Sequence, residues 1–326
     1  MTKPETGYYL DTFLAPLASL LKQPDVTDIW INRPGEVWFE SIGGGIERRE
    51  QPEIDAKLLD RLAHQIAATS SQGISRSQPL LAATLPDGSR VQIAAPPSTR
   101  QGHAFAIRRH VSANLSLGDW QDDGAFDEIE SSAPNIGAER RFRSLVGRAA
   151  AQHLQEAVRD RKNILVSGGT STGKTTFLNS LLAEIPRDER LILIEDTAEL
   201  QLDHKNSVGL LAARGELSEA EVDAEDLLIA ALRMRPDRII LGELRGVEAF
   251  TFLRAINTGH PGSMTTIHAD TPQRAIEQLA LLVLQAGSKL GRDDVRHYVR
   301  ESIDVFVQLE RQNGKRRISQ VLVVDP

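Results

Sequence analysis

The chain contains no cysteine among its 326 residues. This absence excludes a disulfide framework, a thiol nucleophile and a zinc site built from thiolates. Long apolar runs are missing too: the run Leu279–Leu284 has six residues, whereas a membrane-spanning helix needs roughly 20. The amino terminus, Met1-Thr2-Lys3-Pro4-Glu5, lacks the pattern of a secretory signal. We therefore expect a cytosolic type of chain, attached to a membrane only through a partner or an amphipathic surface.

An excess of positive charge is also lacking. The chain has 38 Lys and Arg against 45 Asp and Glu, which gives a formal net charge of −7. A molecule with this balance has no overall basic field that would attract nucleic acid or anionic lipid. Aromatic residues make up only 5% of the chain, which leaves few rings for stacking on nucleotide bases. The remaining composition, 40% hydrophobic and 25% charged, is that of an ordinary soluble globular protein.

The length predicts about two domains, and the hydrophobic pattern places them. Residues 1–110 combine helical spacing at 10–21 and 54–68 with short strand-like runs and two hairpin turns, which predicts a compact α+β domain. Residues 111–139 are acidic and rich in turn formers, and we interpret them as a linker with room for a short helix. Residues 140–326 alternate helices with strands and end in a hairpin. This alternation predicts an α/β domain with a mainly parallel sheet.

The strongest motif is Gly168-Gly169-Thr170-Ser171-Thr172-Gly173-Lys174-Thr175, a full match to the phosphate-binding loop G-x-x-x-x-G-K-[ST]. An apolar strand precedes the loop and a helix continues from Thr176, which is the context that the motif requires. Backbone N–H groups of the loop and the helix N-terminus favour an anion. Lys174 is expected to reach the β- and γ-phosphates, and the hydroxyl of Thr175 to bind Mg²⁺. The residues predicted to contact the nucleotide are Gly168, Gly169, Thr170, Ser171, Thr172, Gly173, Lys174, Thr175 and Thr176.

Two acidic residues follow apolar strands of the same predicted sheet. Glu195 ends the run 191–195, and Glu243 follows the run 238–241. Ligands of open parallel sheets gather at the carboxyl ends of the strands, where both side chains should lie. We expect Glu243 to polarise the attacking water and Glu195 to support the hydration shell of Mg²⁺. The alternative is that each is a solvated acidic residue at the end of a strand, which is a common arrangement in proteins.

Two histidines, His260 and His268, flank a predicted strand in the segment 259–270. A metal site is disfavoured, because no third ligand has suitable spacing and the chain has no cysteine. We expect the two imidazoles to sense the γ-phosphate or to bridge the nucleotide site to the sheet, since imidazole can donate to phosphate. An ordinary buried histidine stays an alternative for each of them.

Several of these segments together resemble the signatures of the secretion traffic ATPases, the superfamily of type II and type IV secretion and type IV pilus motors. The segments are the acidic box 195–199, the stretch 232–246 and the histidine box 259–269. In that superfamily Gly242 also stands where many other phosphate-loop enzymes carry an aspartate. The segments 26–38 and 85–92 are most similar to the VirB-type ATPases of type IV secretion and conjugation systems.

This resemblance implies a fold, an assembly and a set of partners. The fold would be an N-terminal α+β domain followed by a RecA-like ATPase domain, with ATP and Mg²⁺ bound between them. The subunits would form a homo-hexameric ring at the cytoplasmic face of the inner membrane, attached peripherally. Inner-membrane subunits of the secretion system and other secretion ATPases would be its partners, and sequence-specific binding of nucleic acid is not expected.

The resemblance also implies that arginines of the N-terminal domain lie near the phosphates. Arg90 and Arg108 fit this role by position, and Arg109 is an alternative to Arg108. Guanidinium groups there would neutralise charge in the transition state. The plain alternative is that they are surface arginines that flank strands.

Other functions compete with a type IV secretion motor. Type II secretion members usually carry a zinc insert with four cysteines, which this chain lacks; a type IV pilus motor stays open. A nucleic-acid motor on a RecA-like core is disfavoured by the negative charge and the few aromatic residues. A scaffold that binds nucleotide without hydrolysing it is disfavoured because Lys174, Thr175 and Glu243 are all present.

Overall fold

The computed structural model describes residues 6–42, 45–70, 72–109, 115–131, 142–212, 222–312 and 314–324. These residues divide into two compact units, one formed by the described residues up to 109 and the other by those from 115 onward. Each unit has its own hydrophobic core. Among the described residues, no helix combines the length and apolar character needed to cross a membrane.

The first unit is an antiparallel sheet with helices packed on one face. Its six strands lie in the order β3-β2-β1-β6-β5-β4. In chain order the elements are α1 (Thr6–Leu14), a 3₁₀ turn (Ala15–Leu17), α2 (Ala18–Leu21), β1 (Val26–Ile31), β2 (Glu36–Ser41), β3 (Ile46–Glu50), α3 (Ala56–Thr69), β4 (Leu80–Thr84), β5 (Arg90–Ala94) and β6 (Ala104–Arg108).

Alternation of side chains explains why this sheet is buried on one face only. Successive residues of a strand point to opposite faces, so Ile29 and Ile31 of β1 face the helices while Trp30 does not. The two predicted hairpins are present. Gly35 and Gly88 adopt φ of +87° and +85° at their turns, the left-handed region that glycine enters without a steric penalty.

The second unit is built around an eight-stranded sheet in the order β10-β9-β11-β12-β8-β13-β14-β7. The six strands from β10 to β13 in this order are parallel. Strand β14 pairs antiparallel with β13, and β7 pairs antiparallel with β14. In chain order the elements are α4 (Leu117–Asp122), β7 (Phe142–Ser144), α5 (Gly147–Arg159), β8 (Ile164–Gly168), α6 (Lys174–Leu182), β9 (Leu191–Glu195), β10 (Ser207–Leu211), α7 (Ala224–Leu232), β11 (Arg238–Leu244), α8 (Glu248–Asn257), β12 (Met264–Ile267), α9 (Pro272–Gln285), α10 (Arg292–Ser302), β13 (Val305–Gln312) and β14 (Lys315–Val324).

Helices cover both faces of this sheet, as its apolar central strands require. Ile164 and Val166 of β8 belong to the core shared with α4, α5 and α6, and Leu165 belongs to the core shared with α7 to α10. All five residues of β8 and of β9 are buried. This layered arrangement places the ends of the parallel strands at two opposite edges of the sheet.

A buried ion pair lies at the amino-terminal edge of this sheet. Arg238, the first residue of β11, is fully buried and donates two hydrogen bonds to the carboxylate of Glu189, at 2.7 and 2.8 Å. A further bond of 2.6 Å runs from the same guanidinium to the carbonyl oxygen of Val158 at the end of α5. This bidentate geometry is the one in which a buried charge pair is best compensated.

The described part of the segment predicted as a linker, residues 111–139, contains the short helix α4. Leu117, Trp120 and Phe126 are buried in the core of the second unit, packed with α6. The indole Nε1–H of Trp120 donates to Ser180 Oγ at 2.9 Å. The domain boundaries predicted near residues 110 and 139 lie outside the described residues and stay predictions.

Candidate nucleotide-binding site

The parallel strands bring the predicted site residues to one edge of the second sheet. Because β8, β9, β11 and β12 run in the same direction, the segments that follow them meet at their carboxyl ends. The phosphate loop follows β8, Glu195 ends β9, Glu243 lies near the end of β11, and His268 follows β12. This edge is therefore where the chain concentrates its candidate functional groups.

The phosphate loop is a tight turn between β8 and α6. Gly173 has φ of +92° and is the residue immediately before α6, and Ser171 has φ of +61°. The hydroxyl of Thr172 donates to the carbonyl oxygen of Gly169 at 2.9 Å. A Cβ atom on Gly168 would lie 2.9 Å from the carbonyl oxygen of Leu309, so no larger residue fits there. Glycine is thus needed both for the left-handed turn and for the close packing beneath it.

Lys174, the first residue of α6, folds back over this loop. Its Nζ donates to the carbonyl oxygens of Gly168 and Gly169, at 2.9 and 3.1 Å. The same nitrogen lies 3.8 Å from Oε1 of Glu243, and the two side chains are 12% and 21% exposed. The structure therefore brings together the two residues on which the sequence analysis relied most.

Glu243 has a second cation beside it, Arg245, which the sequence analysis gave no role. Arg245 Nε donates to Oε2 of Glu243 at 2.6 Å, and another guanidinium nitrogen donates to Asp196 at 3.1 Å. Burial lowers the pKa of Arg245, but the nearby carboxylates of Glu243, Asp196 and Glu199 outweigh burial and raise it. The carboxylate of Glu243 is accordingly held between two positive charges.

Glu195 supports the loop that follows its own strand. Its Oε2 accepts hydrogen bonds from the backbone N–H groups of Glu199 and Leu200, both at 2.8 Å, and the residue is buried. Asn179 of α6 is tied to the same loop, because its amide donates to the carbonyl oxygen of Glu199 and accepts from the N–H of Gln201. Glu195 thus lies at the predicted edge and also fixes the segment after β9 against the helix of the phosphate loop.

The two histidines lie at opposite ends of β12. His268 is exposed and follows the strand at the phosphate-loop edge, whereas His260 precedes the strand, with its ring Nδ1 3.3 Å from the carbonyl oxygen of Ala255. A strand rises about 3.3 Å per residue, so the four residues of β12 separate the two histidines widely. The structure therefore brings His268, and not His260, to the phosphate loop of the same chain.

A buried glutamine on β13 holds the ends of three strands together. The amide of Gln308 donates to the carbonyl oxygen of Ala269 at 3.1 Å, and its Oε1 accepts from the hydroxyl of Ser167 at 2.5 Å. Gln308 was not predicted as a site residue, although a polar residue within an otherwise apolar strand is a signal that could have indicated it. Its bonds fix the segment that carries His268 against the strand that leads into the phosphate loop.

Arg90 and Arg108 of the first unit lie on the face of its sheet away from the helices. Arg90 of β5 and Arg108 of β6 are direct cross-strand partners, and their sequence neighbours Val91 and Ile107 are buried in the core. Arg109 differs from both, because its guanidinium donates to the carbonyl oxygens of Gln23 and, at 2.8 Å, Val26. Of the alternatives Arg108 and Arg109, the second is engaged in holding the chain ahead of β1.

The described residues contain no cluster of three or more histidine, aspartate or glutamate side chains that could hold a metal ion by themselves. The side chains at the edge that could assist an ion are those of Thr175, the second residue of α6, and the acids Glu195, Asp196 and Glu243. All are oxygen donors, the kind that Mg²⁺ prefers, and Mg²⁺ sites commonly add phosphate oxygens and water to one or two protein groups. The donor set therefore fits Mg²⁺ together with a phosphate.

The chain is similar to known proteins over nearly its whole length. The family described as "Type II/IV secretion system protein" matches residues 12–316. The type IV secretion system protein VirB11 of Bartonella quintana is 39% identical over 333 residues, which cover 97% of this chain and 93% of that protein. PtlH, a type IV secretion system protein of Bordetella pertussis, is 36% identical over 326 residues, 98% of this chain and 96% of that protein.

A solved structure shows the same fold. The ATPase DotB of Legionella pneumophila aligns with a TM-score of 0.60 and 18% identity, over 99% of this chain and 83% of that one. This likeness confirms the predicted fold class, an N-terminal α+β domain and a RecA-like domain with a mainly parallel sheet. The full-length relatives confirm the predicted family, the traffic ATPases of the type IV secretion group. From residue 12 to residue 316 the chain belongs to the type II/IV secretion system protein family.

Proposed function

We propose that the phosphate loop of this chain binds ATP with Mg²⁺, and that hydrolysis there drives transport or pilus assembly by a type IV secretion system. The observation that carries the proposal is the meeting of Lys174, Glu243 and the N-terminus of α6 at one edge of the sheet, with Lys174 Nζ 3.8 Å from Glu243 Oε1. This arrangement combines a site for phosphate with a carboxylate next to it. A site that only bound phosphate would not need the carboxylate.

Binding of the triphosphate rests on the loop and on Lys174. The first N–H groups of α6 have no acceptor within the helix, and the helix dipole adds positive potential at the same point. Lys174 donates to two neutral carbonyl oxygens of the loop. A phosphate oxygen is a charged acceptor and makes stronger hydrogen bonds, so the lysine gains by turning from these carbonyls to the phosphate.

Magnesium would be held by the hydroxyl of Thr175 and by phosphate oxygens, with Glu195 acting on its water ligands. When bound, Mg²⁺ supplies positive charge that offsets the charge developing on the transferred phosphoryl group. The contribution of the chain is to place a hydroxyl next to Lys174 and to fix Glu195 through the N–H groups of Glu199 and Leu200.

Glu243 orients the attacking water. Its carboxylate accepts from Arg245 through Oε2, while Oε1 faces Lys174. Hydrogen bonds between a guanidinium group and a carboxylate are short and directional, so they fix the orientation of the carboxylate. Arg245 is therefore a positioning residue, because it fixes the carboxylate that acts on the water.

Three further groups act on the charge of the transferred phosphoryl. Arg90 and Arg108 supply guanidinium groups, which neutralise charge in the transition state. The support for this role is their position on the face of the first sheet that is not used for its core. His268 donates to the γ-phosphate from the end of β12. His260 has no part in this proposal at the loop of its own chain, since it lies at the other end of that strand.

The assembly proposed for this chain is a ring of six copies at the cytoplasmic face of the inner membrane, held there peripherally. Its partners are inner-membrane subunits of the secretion system and other secretion ATPases. The support is the full-length similarity to VirB11 and PtlH, whose names place those proteins in type IV secretion systems.

The test is the replacement Glu243→Gln, which keeps the shape of the side chain and removes its charge. We expect binding of ATP to be retained and phosphate release to fall by at least about 100-fold, the range typical of a lost acid or base group. Glu50→Gln, on the exposed strand β3, is the matched control and should leave the rate unchanged. Lys174→Ala should lose both binding and turnover.

Two results would contradict the proposal. Wild-type protein that binds ATP without releasing phosphate would be a scaffold rather than a motor. A Glu243→Gln variant with the wild-type rate would show that another residue orients the attacking water.

A further inference from the structure

The hairpin of β13 and β14 extends beyond the sheet at the edge of the phosphate loop. Strand β13 runs beside β8, and Leu309 pairs with Gly168, the last residue of β8. From there β13 continues to Gln312, while β14 begins at Lys315. The described residues of the hairpin beyond Leu309 therefore extend past Gly168, on the side of the phosphate loop.

The part of the hairpin beyond Leu309 is basic. Arg311 is the direct cross-strand partner of Arg316, and Gln312 is the partner of Lys315. Like charges placed directly opposite each other on a sheet destabilise it. Arg317, the next residue of β14, forms ion pairs with Glu310 and Glu128. A pair of opposed arginines next to a phosphate loop suits an anion that lies against both strands.

Arg316 is in direct contact with the phosphate loop. A Cβ atom on Gly173 would lie 2.9 Å from Cδ of Arg316 and 3.4 Å from its Nε. Gly173 is the residue immediately before α6, so the guanidinium group lies beside the helix N-terminus. The proposed hydrolytic step does not use Arg316, because Glu243 lies on the opposite side of β8 from the hairpin.

The order of the strands fixes the direction in which a nucleotide lies. Strand β11, which carries Glu243, is on one side of β8, and β13 is on the other side. The γ-phosphate must face Glu243, because the water attacks there. The α-phosphate and the ribose then lie toward β13 and its hairpin with β14.

We infer that Arg316 is a nucleotide-binding residue that holds the α-phosphate and ribose end of ATP. The inference rests on the proposed function of the same loop. A planar guanidinium group donates several hydrogen bonds to phosphate and ribose oxygens in a fixed geometry. Because this end of the nucleotide does not react, the contact strengthens binding of ATP and ADP alike and leaves the hydrolytic step unchanged.

The experiment compares Arg316→Gln with Lys315→Gln, which removes the same charge from the neighbouring residue of the hairpin. We expect the Kd for ADP, measured by calorimetry, and the KM for ATP both to rise about ten-fold in Arg316→Gln, with kcat within two-fold of the wild type. Lys315→Gln should match the wild type in all three. Arg316→Lys keeps the charge but not the planar set of donors, so it should recover only part of the affinity.

Two outcomes would overturn the inference: an unchanged Kd in Arg316→Gln, or a fall in kcat with unchanged KM. Should Arg316→Gln fail to fold, Arg316→Met is measured in its place. Wild-type protein that binds no ADP would refute the proposed function itself, whereas binding that ignores Arg316 would refute this inference alone.

Discussion

At the scale of the residue, the glycines of this chain differ in what they tolerate. Gly173 and Gly314 both adopt positive φ, +92° and +80°. A Cβ atom on Gly173 would lie 2.9 Å from Arg316 Cδ and 3.3 Å from a ring carbon of Trp120, whereas one on Gly314 meets nothing within 4 Å. The two positions share the backbone conformation and differ in the space around it.

We predict that Gly173→Ala lowers the free energy of unfolding by more than Gly314→Ala does. Both variants carry the cost of a left-handed alanine, about 1 kcal/mol. Gly173→Ala adds a steric conflict that must move Arg316 or Trp120, worth about another 1–3 kcal/mol. Urea unfolding measures the two losses, and nucleotide binding should fall only in Gly173→Ala. An equal decrease in the free energy of unfolding of the two variants would mean that Arg316 and Trp120 move aside at little cost.

Much of the site could be predicted from residues alone, and the rest required neighbours distant in sequence. The convergence of Lys174 and Glu243 follows from a motif and from the rule that parallel strands end at one edge. Arg245 and Arg316 could not be assigned, because their contacts depend on side-chain direction and on the pairing of a hairpin. The separation of His260 from His268 could have been predicted, since a strand was expected between them.

At the scale of the element, strands with a clear pattern were predicted at the right place in the chain. Strand β9 has the bounds of the predicted run 191–195, and β11 begins at residue 238, as predicted, but ends three residues beyond the predicted run 238–241. Strand β3 was missed because all five of its residues are exposed, so no alternation marks it. Strands β7 and β10 were missed for a related reason: each is short, lies at an edge of the sheet and is only partly buried.

The side chain of Trp120 in helix α4 packs against α6. Trp120 donates to Ser180 Oγ at 2.9 Å and packs edge-on against Phe177, with the ring centroids 5.3 Å apart. The hydroxyl of Ser180 also lies within hydrogen-bonding distance of the carbonyl oxygen of Leu115, at 2.5 Å. The start of the described segment 115–131 is thus tied to the helix that follows the phosphate loop.

We predict that Trp120 and Ser180 are energetically coupled. Trp120→Phe keeps a ring against Phe177 and should cost about 1 kcal/mol, the value of one hydrogen bond. Ser180→Ala leaves the buried indole N–H without its acceptor and should cost more, about 1–3 kcal/mol. In a double-mutant cycle measured by urea unfolding, the double variant should cost about 1 kcal/mol less than the sum of the singles. Strict additivity would show that the hydrogen bond contributes nothing measurable.

At the scale of the whole molecule, the proposed ring makes a prediction about mass. Purified protein with a non-hydrolysable ATP analogue and Mg²⁺ should scatter light as a particle near six times 35.9 kDa. Lys174→Ala, which should not retain the nucleotide, serves as the control for any dependence on the ligand. A monomer under every such condition would contradict the ring while leaving the ATPase proposal intact.

The buried pair of Arg238 and Glu189 limits how this protein can vary. Removing one partner of such a pair typically costs about 3–5 kcal/mol, because a charge is left alone in the interior. Replacing both by apolar residues of similar size can be neutral. Loss of Glu189 would leave the fully buried guanidinium group of Arg238 without a carboxylate, whereas loss of Arg238 would leave Glu189 paired with Arg161, 3.3 Å away. Glu189 therefore cannot drift alone during evolution, and a descendant that has lost the glutamate should have lost Arg238 with it.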